Sequence, residues 1–354
     1  MTTLENPIHL VNDHRPETGI GNYAASLSRL ISPFVREVIT HDLQSSHASR
    51  SNAIRTMSVP LAIEIQENRL KHTPGWSEGN IHLCGAHACL ANSAERVIVT
   101  IHDYYGRSFV SEAKTSPARL ANEFLNAWLR RTAARRLSSA MAIVTPSTFS
   151  ANQLEHALGL RSTVIHHWTD EVRFHERPQH FVRRELGLPY DKRLVLSVGG
   201  STSNKGLEVL REVAKLLPTN YSIVRVGTPV YISGVRVINM GTLSAHNYPL
   251  IFNACDAYLH TSTVEGFGYP LLESMTSGLP VVARSISTVP EVIGASPAVI
   301  HEDAPLERLT ETITGLEDDR FRENVVSYQR CRALLFSEAR AREAYARLYS
   351  SHFK

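Results

Sequence analysis

The chain contains no long apolar run. Its hydrophobic residues make up 43% of 354 positions, but they come in stretches well short of the roughly 20 residues that span a bilayer. Cysteine is scarce. Four in the whole chain do not make a disulfide framework, so reduced thiols and a cytoplasmic location are expected. The N-terminus carries no charged-then-apolar signal pattern. Charge of one sign is missing as well. With 37 Lys and Arg against 34 Asp and Glu, the net charge of +3 leaves no electrostatic footprint for nucleic acid. There is no internal sequence repeat and no Asp-x-Asp pair of the kind that holds a divalent ion. The pattern therefore calls for no metal and no cofactor. The length suits two domains of ordinary size.

What is present is organised around Glu265-Gly266-Phe267-Gly268-Tyr269-Pro270-Leu271-Leu272-Glu273. Two acids eight positions apart flank a glycine–aromatic turn. The apolar Ala257-Tyr258-Leu259-His260 before it reads as a buried strand end. Leu271 to Ser277 after it reads as a helix, stopped by Gly278-Leu279-Pro280. Gly266 and Gly268 lack a Cβ and let the backbone approach a ligand, and Pro270 fits a first helical turn. The N–H groups of that turn, with the helix dipole behind them, suit a phosphate. Glu265 is placed to accept hydrogen bonds from ligand hydroxyls, and Glu273 to clamp a vicinal diol such as a ribose. The plainer reading is a strand–loop–helix connection with two solvated acids.

Taken in order, Ile8-His9-Leu10-Val11 reads as a first strand, followed by the glycine loop Thr18-Gly19-Ile20-Gly21-Asn22-Tyr23 and an apolar-periodic helix. A glycine loop between a first strand and a first helix is a phosphate or sugar position in an open α/β sheet. Here it lacks the third glycine of the dinucleotide fingerprint. Residues 43–60 are polar and serine-rich and read as a loop. His82, Cys84, His87 and Cys89 invite a zinc reading, but their spacing does not match finger patterns, and packed thiols with ordinary histidines fit better. Arg96 to Ile101 is a β-branched buried strand ending at His102-Asp103, which puts that pair at the ligand edge of the sheet. A loop histidine with a capping Asp is the alternative. Residues 117–139 read as a long helix. On it Arg130, Arg131, Arg135 and Arg136 are taken to share one side, with Leu125, Trp128 and Leu129 beside them. That face is either solvated or a membrane-surface patch.

Met141 to Thr145 is the next strand. Pro146 to Ser150 caps a helix running to Gly159, and Val164 to Trp168 reads as a strand. Residues 169–191 lose periodicity and carry Pro178 and Pro189, so the linker is placed at 171–191. A second alternating series opens with Leu194 to Gly200. Its loop leads to Lys205-Gly206 and an amphipathic helix, which sets a cation at a helix start beside the crevice. The expected division is an N-terminal domain over 1–170, a C-terminal domain over 192–334 and a last helix over 335–354. The fold class is α/β, with two doubly wound, Rossmann-like domains.

The stretch Ser262 to Gly294 resembles the signature of the retaining GT-B glycosyltransferases of the GT4 family, and is most similar to its mannosyltransferase-type branch. Thr100 to Asp103, the Gly19 to Tyr23 loop, Val144 to Ser147 and His166 to Trp168 match that branch in order. The resemblance implies a GT-B fold, with the two domains facing a cleft and the last helix crossing back to the first domain. It implies that Glu265 holds the donor sugar's hydroxyls, Glu273 the ribose, and the Phe267 to Leu271 amides the diphosphate and sugar. It further implies that Lys205 neutralises the diphosphate, with Gly200 beside it and Gly21 beneath the phosphates. His102 would touch the transferred sugar. The implied partners are a nucleotide-sugar donor, with GDP-mannose favoured and a UDP-hexose the alternative, and a sugar or lipid-linked acceptor, with peripheral membrane contact through the arginines. One feature departs from the family. The arginine usual before the lysine is replaced by Gly199, Gly200 or Asn204. Arg225 and Arg284 are the candidates to supply its charge, and a nucleotide-sugar-binding scaffold without turnover is the alternative function.

Overall fold

The computed structural model describes residues 4, 6–12, 19–42, 68, 72, 80–85, 96–103, 127–128 and 130–353. The chain clusters into two compact units. One comprises Met1–His166 with Ala339–Lys354, the other His167–Glu338.

The first unit is built on β1 (Ile8–Asn12), β2 (Val38–Asp42), β3 (Asn80–Leu83), β4 (Val97–Thr100), β5 (Ala142–Thr145) and β6 (Thr163–Val164), in the order β2-β1-β3-β4-β5-β6. Every pairing is parallel. Such a sheet is covered on both faces, which is why β4 reads as a continuous β-branched run rather than an alternating one. Ile8, Leu10, Ile81, Leu83 and Val97 to Val99 have no exposed surface. The helix Gly19–Ile31 presents Tyr23, Leu27, Leu30 and Ile31 to the core, the i, i+4, i+7, i+8 stripe of an amphipathic helix.

The second unit carries β7 (Arg193–Gly199), β8 (Tyr221–Gly227), β9 (Val237–Gly241), β10 (Ala257–His260), β11 (Val281–Arg284) and β12 (Val299–Ile300), ordered β12-β11-β10-β7-β8-β9 and again parallel. Alternate residues of one strand feed different layers. Leu194, Leu196, Tyr258, Val281 and Ala283 join one apolar cluster, whereas Val195, Ala257, Leu259 and Val282 join the other. Both units are therefore doubly wound, as the sequence pattern predicts.

The last helix, Glu338–His352, belongs to the first unit from Ala339 onward. It is held there by a buried polar network. Tyr349 shares a 2.5 Å hydrogen bond with His82 Nδ1, and His82 Nε2 shares one of 2.7 Å with Thr100 Oγ1. Tyr23 bonds both Thr100, at 2.9 Å, and Tyr345, at 2.6 Å. Burial pushes His82 down to about 3, so the ring is neutral and its two nitrogens act as one donor and one acceptor. This engagement is the place of His82. Cys84 is buried beside it, and His87 and Cys89 lie outside the described residues.

Several expectations are corrected. Gly19 and Gly21 do not form a loop; they occupy the first turn of the helix that starts at Gly19. Low helix propensity does not exclude glycine from a first turn that tertiary packing holds. Residues 171–191 are not a linker. They contain the helix Gln179–Glu185, and Phe174, Val182 and Leu188 are buried in the second unit's core. The strand expected through Trp168 ends at Val164. The loop at 43–60, and the part of the 117–139 helix before Ala127, lie outside the described residues. The Ser147 cap holds: its hydroxyl accepts from the Ser150 N–H at 3.0 Å, and the helix ends on left-handed Gly159.

Tyr349→Phe should leave the buried His82 Nδ1 without its partner. The expected loss in urea unfolding is about 1–3 kcal/mol, the usual penalty for an orphaned buried group.

Candidate functional site

The sequence-predicted residues of the second unit gather at the carboxyl ends of β7, β10 and β11. These are the strand ends where ligands bind in open α/β sheets. After β7 the chain runs through Gly200 to a short 3-10 turn, Ser203–Lys205. After β10 it runs through Thr261 to Gly268 and enters the helix Tyr269–Thr276, with Pro270 in the first turn. The two loops are stitched together. Thr263 N–H donates to the Asn204 carbonyl at 2.8 Å, Asn204 Nδ2 to the Val264 carbonyl at 3.2 Å, and Thr261 Oγ1 to the Lys205 carbonyl at 2.8 Å. This approach requires glycine at 206. A Cβ there would lie 1.9 Å from the Thr261 oxygen, and φ is +60°. Gly268 is also required, because the N-cap position it fills has a φ of +90°, which favours glycine. Its task is backbone conformation as much as room for a ligand.

At the centre, Lys205 Nζ donates to Glu265 Oε1 at 2.7 Å, with both side chains largely covered. The sequence reading gave these groups separate tasks; here they are one ion pair. Behind Glu265 stands His260, buried, with its Nδ1 3.2 Å from the Tyr258 hydroxyl. Burial pushes His260 down to about 4, against the pull of Glu265, so it sits neutral beside the pair. The loop after β11 braces the motif from the other side. Ser287 Oγ accepts from the Glu265 N–H at 2.9 Å, and Thr288 Oγ1 donates to the Phe267 carbonyl at 3.0 Å. Ser287 adopts φ +55°, a left-handed conformation that costs a serine about 1–2 kcal/mol and that these bonds hold in place. Phe267 is buried in the core, and Tyr269 stacks on His167 at 4.7 Å between ring centroids.

Glu273 lies one turn into the helix and is only 4% exposed. Its Oε2 accepts from the Tyr248 hydroxyl at 2.8 Å. Burial raises the carboxyl to about 7, against the lowering effect of Tyr248 and Arg173. The two solvated acids of the plain reading are thus excluded: one is paired and the other buried.

The two arginines suggested as substitutes are both engaged with backbone carbonyls. Arg225 is 1% exposed. It donates to the carbonyls of Gly199 at 2.6 Å, Gly200 at 3.0 Å and Thr228 at 3.1 Å, and to Ser197 Oγ at 2.9 Å. It is a strut beneath the loop that carries Lys205. Arg284 donates to the Ala304 carbonyl at 2.6 Å.

In the first unit, His102 and Asp103 follow β4, and Gly19 and Gly21 open the helix after β1. His102 is buried, its Nε2–H donates to the Cys84 carbonyl at 2.8 Å, and Tyr23 meets its ring edge-on at 4.6 Å. The four arginines do not form one face. At about 100° per residue, Arg131 and Arg135 lie opposite the buried Ala133 and Leu137. Arg130 and Arg136 fall on either flank, with Arg136 half-buried. Trp128 is 46% exposed, and Leu125 and Leu129 lie outside the described residues. Among those residues no helix is long and apolar enough to cross a membrane.

Sequence reasoning missed Asn204, Gly206, Tyr248, His260, Ser287 and Thr288 as parts of this site. Thr288 and Ser287 follow a strand end at motif distance, and that signal was available. Tyr248 carries none.

Residues 178–332, which contain Lys205, Glu265 and Glu273, match the family of glycosyl transferases group 1. This stretch is thus similar to the group 1 glycosyl transferases. The chain is 26% identical over 161 residues to O-antigen chain mannosyltransferase B of Escherichia coli, an alignment covering 40% of this chain and 42% of that protein. It spans less than half the length of the curated relatives it matches. The likeness in fold covers more of the chain. Sucrose-phosphate synthase from Thermosynechococcus elongatus superposes with a TM-score of 0.75 at 17% identity, over 99% of both chains. Anabaena HepE, in complex with UDP-glucose, gives 0.71 at 17% identity over 98% of this chain and 100% of that one. These likenesses agree with the GT-B fold class expected from the motif.

A carboxyl raised to about 7 in the fold from 4.5 favours folding below pH 4.5, and that contribution is lost as pH rises through 7. Glu273→Gln removes the titration. In the second unit it should raise unfolding free energy at pH 8 relative to the parent by up to about 3 kcal/mol, and the gain should vanish near pH 4. A difference independent of pH would contradict this environment.

Proposed function

We propose that the protein is a retaining hexosyltransferase that moves a sugar from a nucleoside diphosphate sugar to a glycan, lipid-linked or small-molecule hydroxyl. The observation that carries this reading is the Lys205–Glu265 pair, set at the strand ends between the glycine loop and the start of the helix Tyr269–Thr276. The leaving diphosphate gains charge as the glycosidic bond breaks. A cation and a helix N-terminus at that point stabilise the transition state more than the ground state. Glu265 accepts hydrogen bonds from the sugar's hydroxyls, and Glu273 holds the ribose. The resemblance of the His102-Asp103 pair to the family supports a sugar-holding role for His102 rather than nucleophilic attack. The donor's own phosphate oxygen then takes the acceptor's proton on the face the leaving group vacates, with retention and no glycosyl-enzyme. Lys205 takes the place of a metal ion in this scheme.

Mannose from GDP-mannose is the favoured donor reading, supported by the similarity to a mannosyltransferase. A UDP-hexose is the alternative. Contact with an anionic membrane surface through Trp128, Arg131 and Arg135 belongs to the same proposal and rests on their exposure. A second reading, nucleotide-sugar binding without turnover, is favoured by one observation. Arg225 is engaged with backbone carbonyls, which leaves Lys205 as the cation at the loop.

The test is nucleoside diphosphate release from a panel of GDP- and UDP-sugars, run with EDTA present. Turnover on at least one donor is expected. Lys205→Ala should lower its rate roughly 100- to 1000-fold, the range for loss of one charge-stabilising contact, with the melting temperature little changed. Binding of a donor without release supports the second reading. An unchanged rate in the variant would remove Lys205 from the chemistry.

A further inference from the structure

The helix Asn247–Ala254 meets the helix Tyr269–Thr276 at one polar contact, the hydroxyl of Tyr248 against Oε2 of Glu273. Around this contact everything else is packed. The Tyr248 ring stands edge-on to Phe252, with centroids 5.4 Å apart, and edge-on to Phe174 at 6.2 Å. These contacts fix the ring, and through it the hydroxyl. Glu273 is only 4% exposed, and Oε2 is the oxygen that the tyrosine engages.

We propose that Tyr248 is a positioning residue for nucleotide binding: by holding Oε2 of Glu273 it turns the second carboxylate oxygen toward the ribose hydroxyls of the donor. This rests on the assignment of Glu273 as the ribose ligand.

A glutamate side chain has three rotatable bonds, and a ligand that needs one rotamer must order it. A preformed hydrogen bond from a rigid tyrosine removes that ordering from the binding step. It also sets the charge. The groups facing this carboxyl are Tyr248 from one helix, Arg173 from the segment ahead of the helix Gln179–Glu185, and Tyr258 from β10. Tyr248 and Arg173 both lower its pKa against burial. Without the tyrosine hydroxyl the group takes up its proton at higher pH, and a neutral acid accepts ribose hydroxyls less strongly. The sequence gives no hint of this partner, because Tyr248 sits 25 positions away on another helix.

The experiment is isothermal titration of the full chain with GDP and UDP and with their 2′,3′-dideoxy counterparts, at pH 6, 7 and 8. It is run on the parent, Glu273→Gln and Tyr248→Phe. The parent should prefer the ribose form, and Glu273→Gln should abolish that preference. Tyr248→Phe keeps the ring and its packing. It should lower the preference roughly three- to tenfold at pH 7, with affinity for the dideoxy form unchanged, and its preference should decline at higher pH than the parent's. A purely structural role would weaken both forms equally. Tyr248→Phe with the parent's preference at all three pH values, while Glu273→Gln has lost it, overturns the role of Tyr248 alone. No preference in the parent, or an intact preference in Glu273→Gln, overturns the ribose assignment and this proposal with it.

Discussion

The ion pair between Lys205 and Glu265 is the contact on which the second unit's ligand edge depends. It joins two loops 60 residues apart in sequence, and each loop is shaped to deliver its partner. Gly206 lets the turn bearing Lys205 lie against Thr261. Ser287 and Thr288 brace the backbone bearing Glu265 and Phe267. Arg225 holds the Gly199–Gly200 carbonyls from below. A half-buried pair of this kind contributes little net stability once desolvation is counted. Its value lies in presenting a charged cation and an ordered carboxylate at the same place.

Buried charge is treated in two ways here. Arg225 keeps its proton and satisfies its donors on carbonyls and a hydroxyl, which is how a buried guanidinium is tolerated. Glu273 is less completely compensated, and burial raises it to about 7. A carboxyl on that borderline responds to small changes in its surroundings, including an arriving ligand. His260, beside the ion pair, is likewise shifted by burial.

Much of the fold was legible in the residues. Continuous apolar runs such as Leu194 to Leu196 and the β-branched Val97 to Thr100 mark strands covered on both faces, and the Ser147 and Gly159 signals bound a helix where they should. The Glu265 to Glu273 motif was legible too, because strand, glycine turn, proline and helix follow each other locally. What failed was either marginal or long-range. Gly19 and Gly21 look like a loop because their propensity is low, yet they open a helix. The Gln179–Glu185 helix is too short, and too closely flanked by Pro178 and Pro189, to show a period. The four arginines seemed to share a face only until their angles about the axis were counted. The pairing of Lys205 with Glu265, the strut made by Arg225 and the hydroxyl on Glu273 join distant segments, and no local pattern encodes them.

If Lys205 serves the diphosphate, it must leave Glu265 or divide itself between the two. Removing the charge of Glu265 should therefore release the lysine to the ligand. The direct measurement is the affinity of the full chain for GDP and UDP, by isothermal titration, before and after Glu265→Gln. The account predicts tighter binding of the preferred diphosphate in the variant, several-fold at low salt and less at high salt as the charges are screened. Weaker or unchanged binding would mean that Lys205 does not address the diphosphate, and the central pair would then be a structural tie alone.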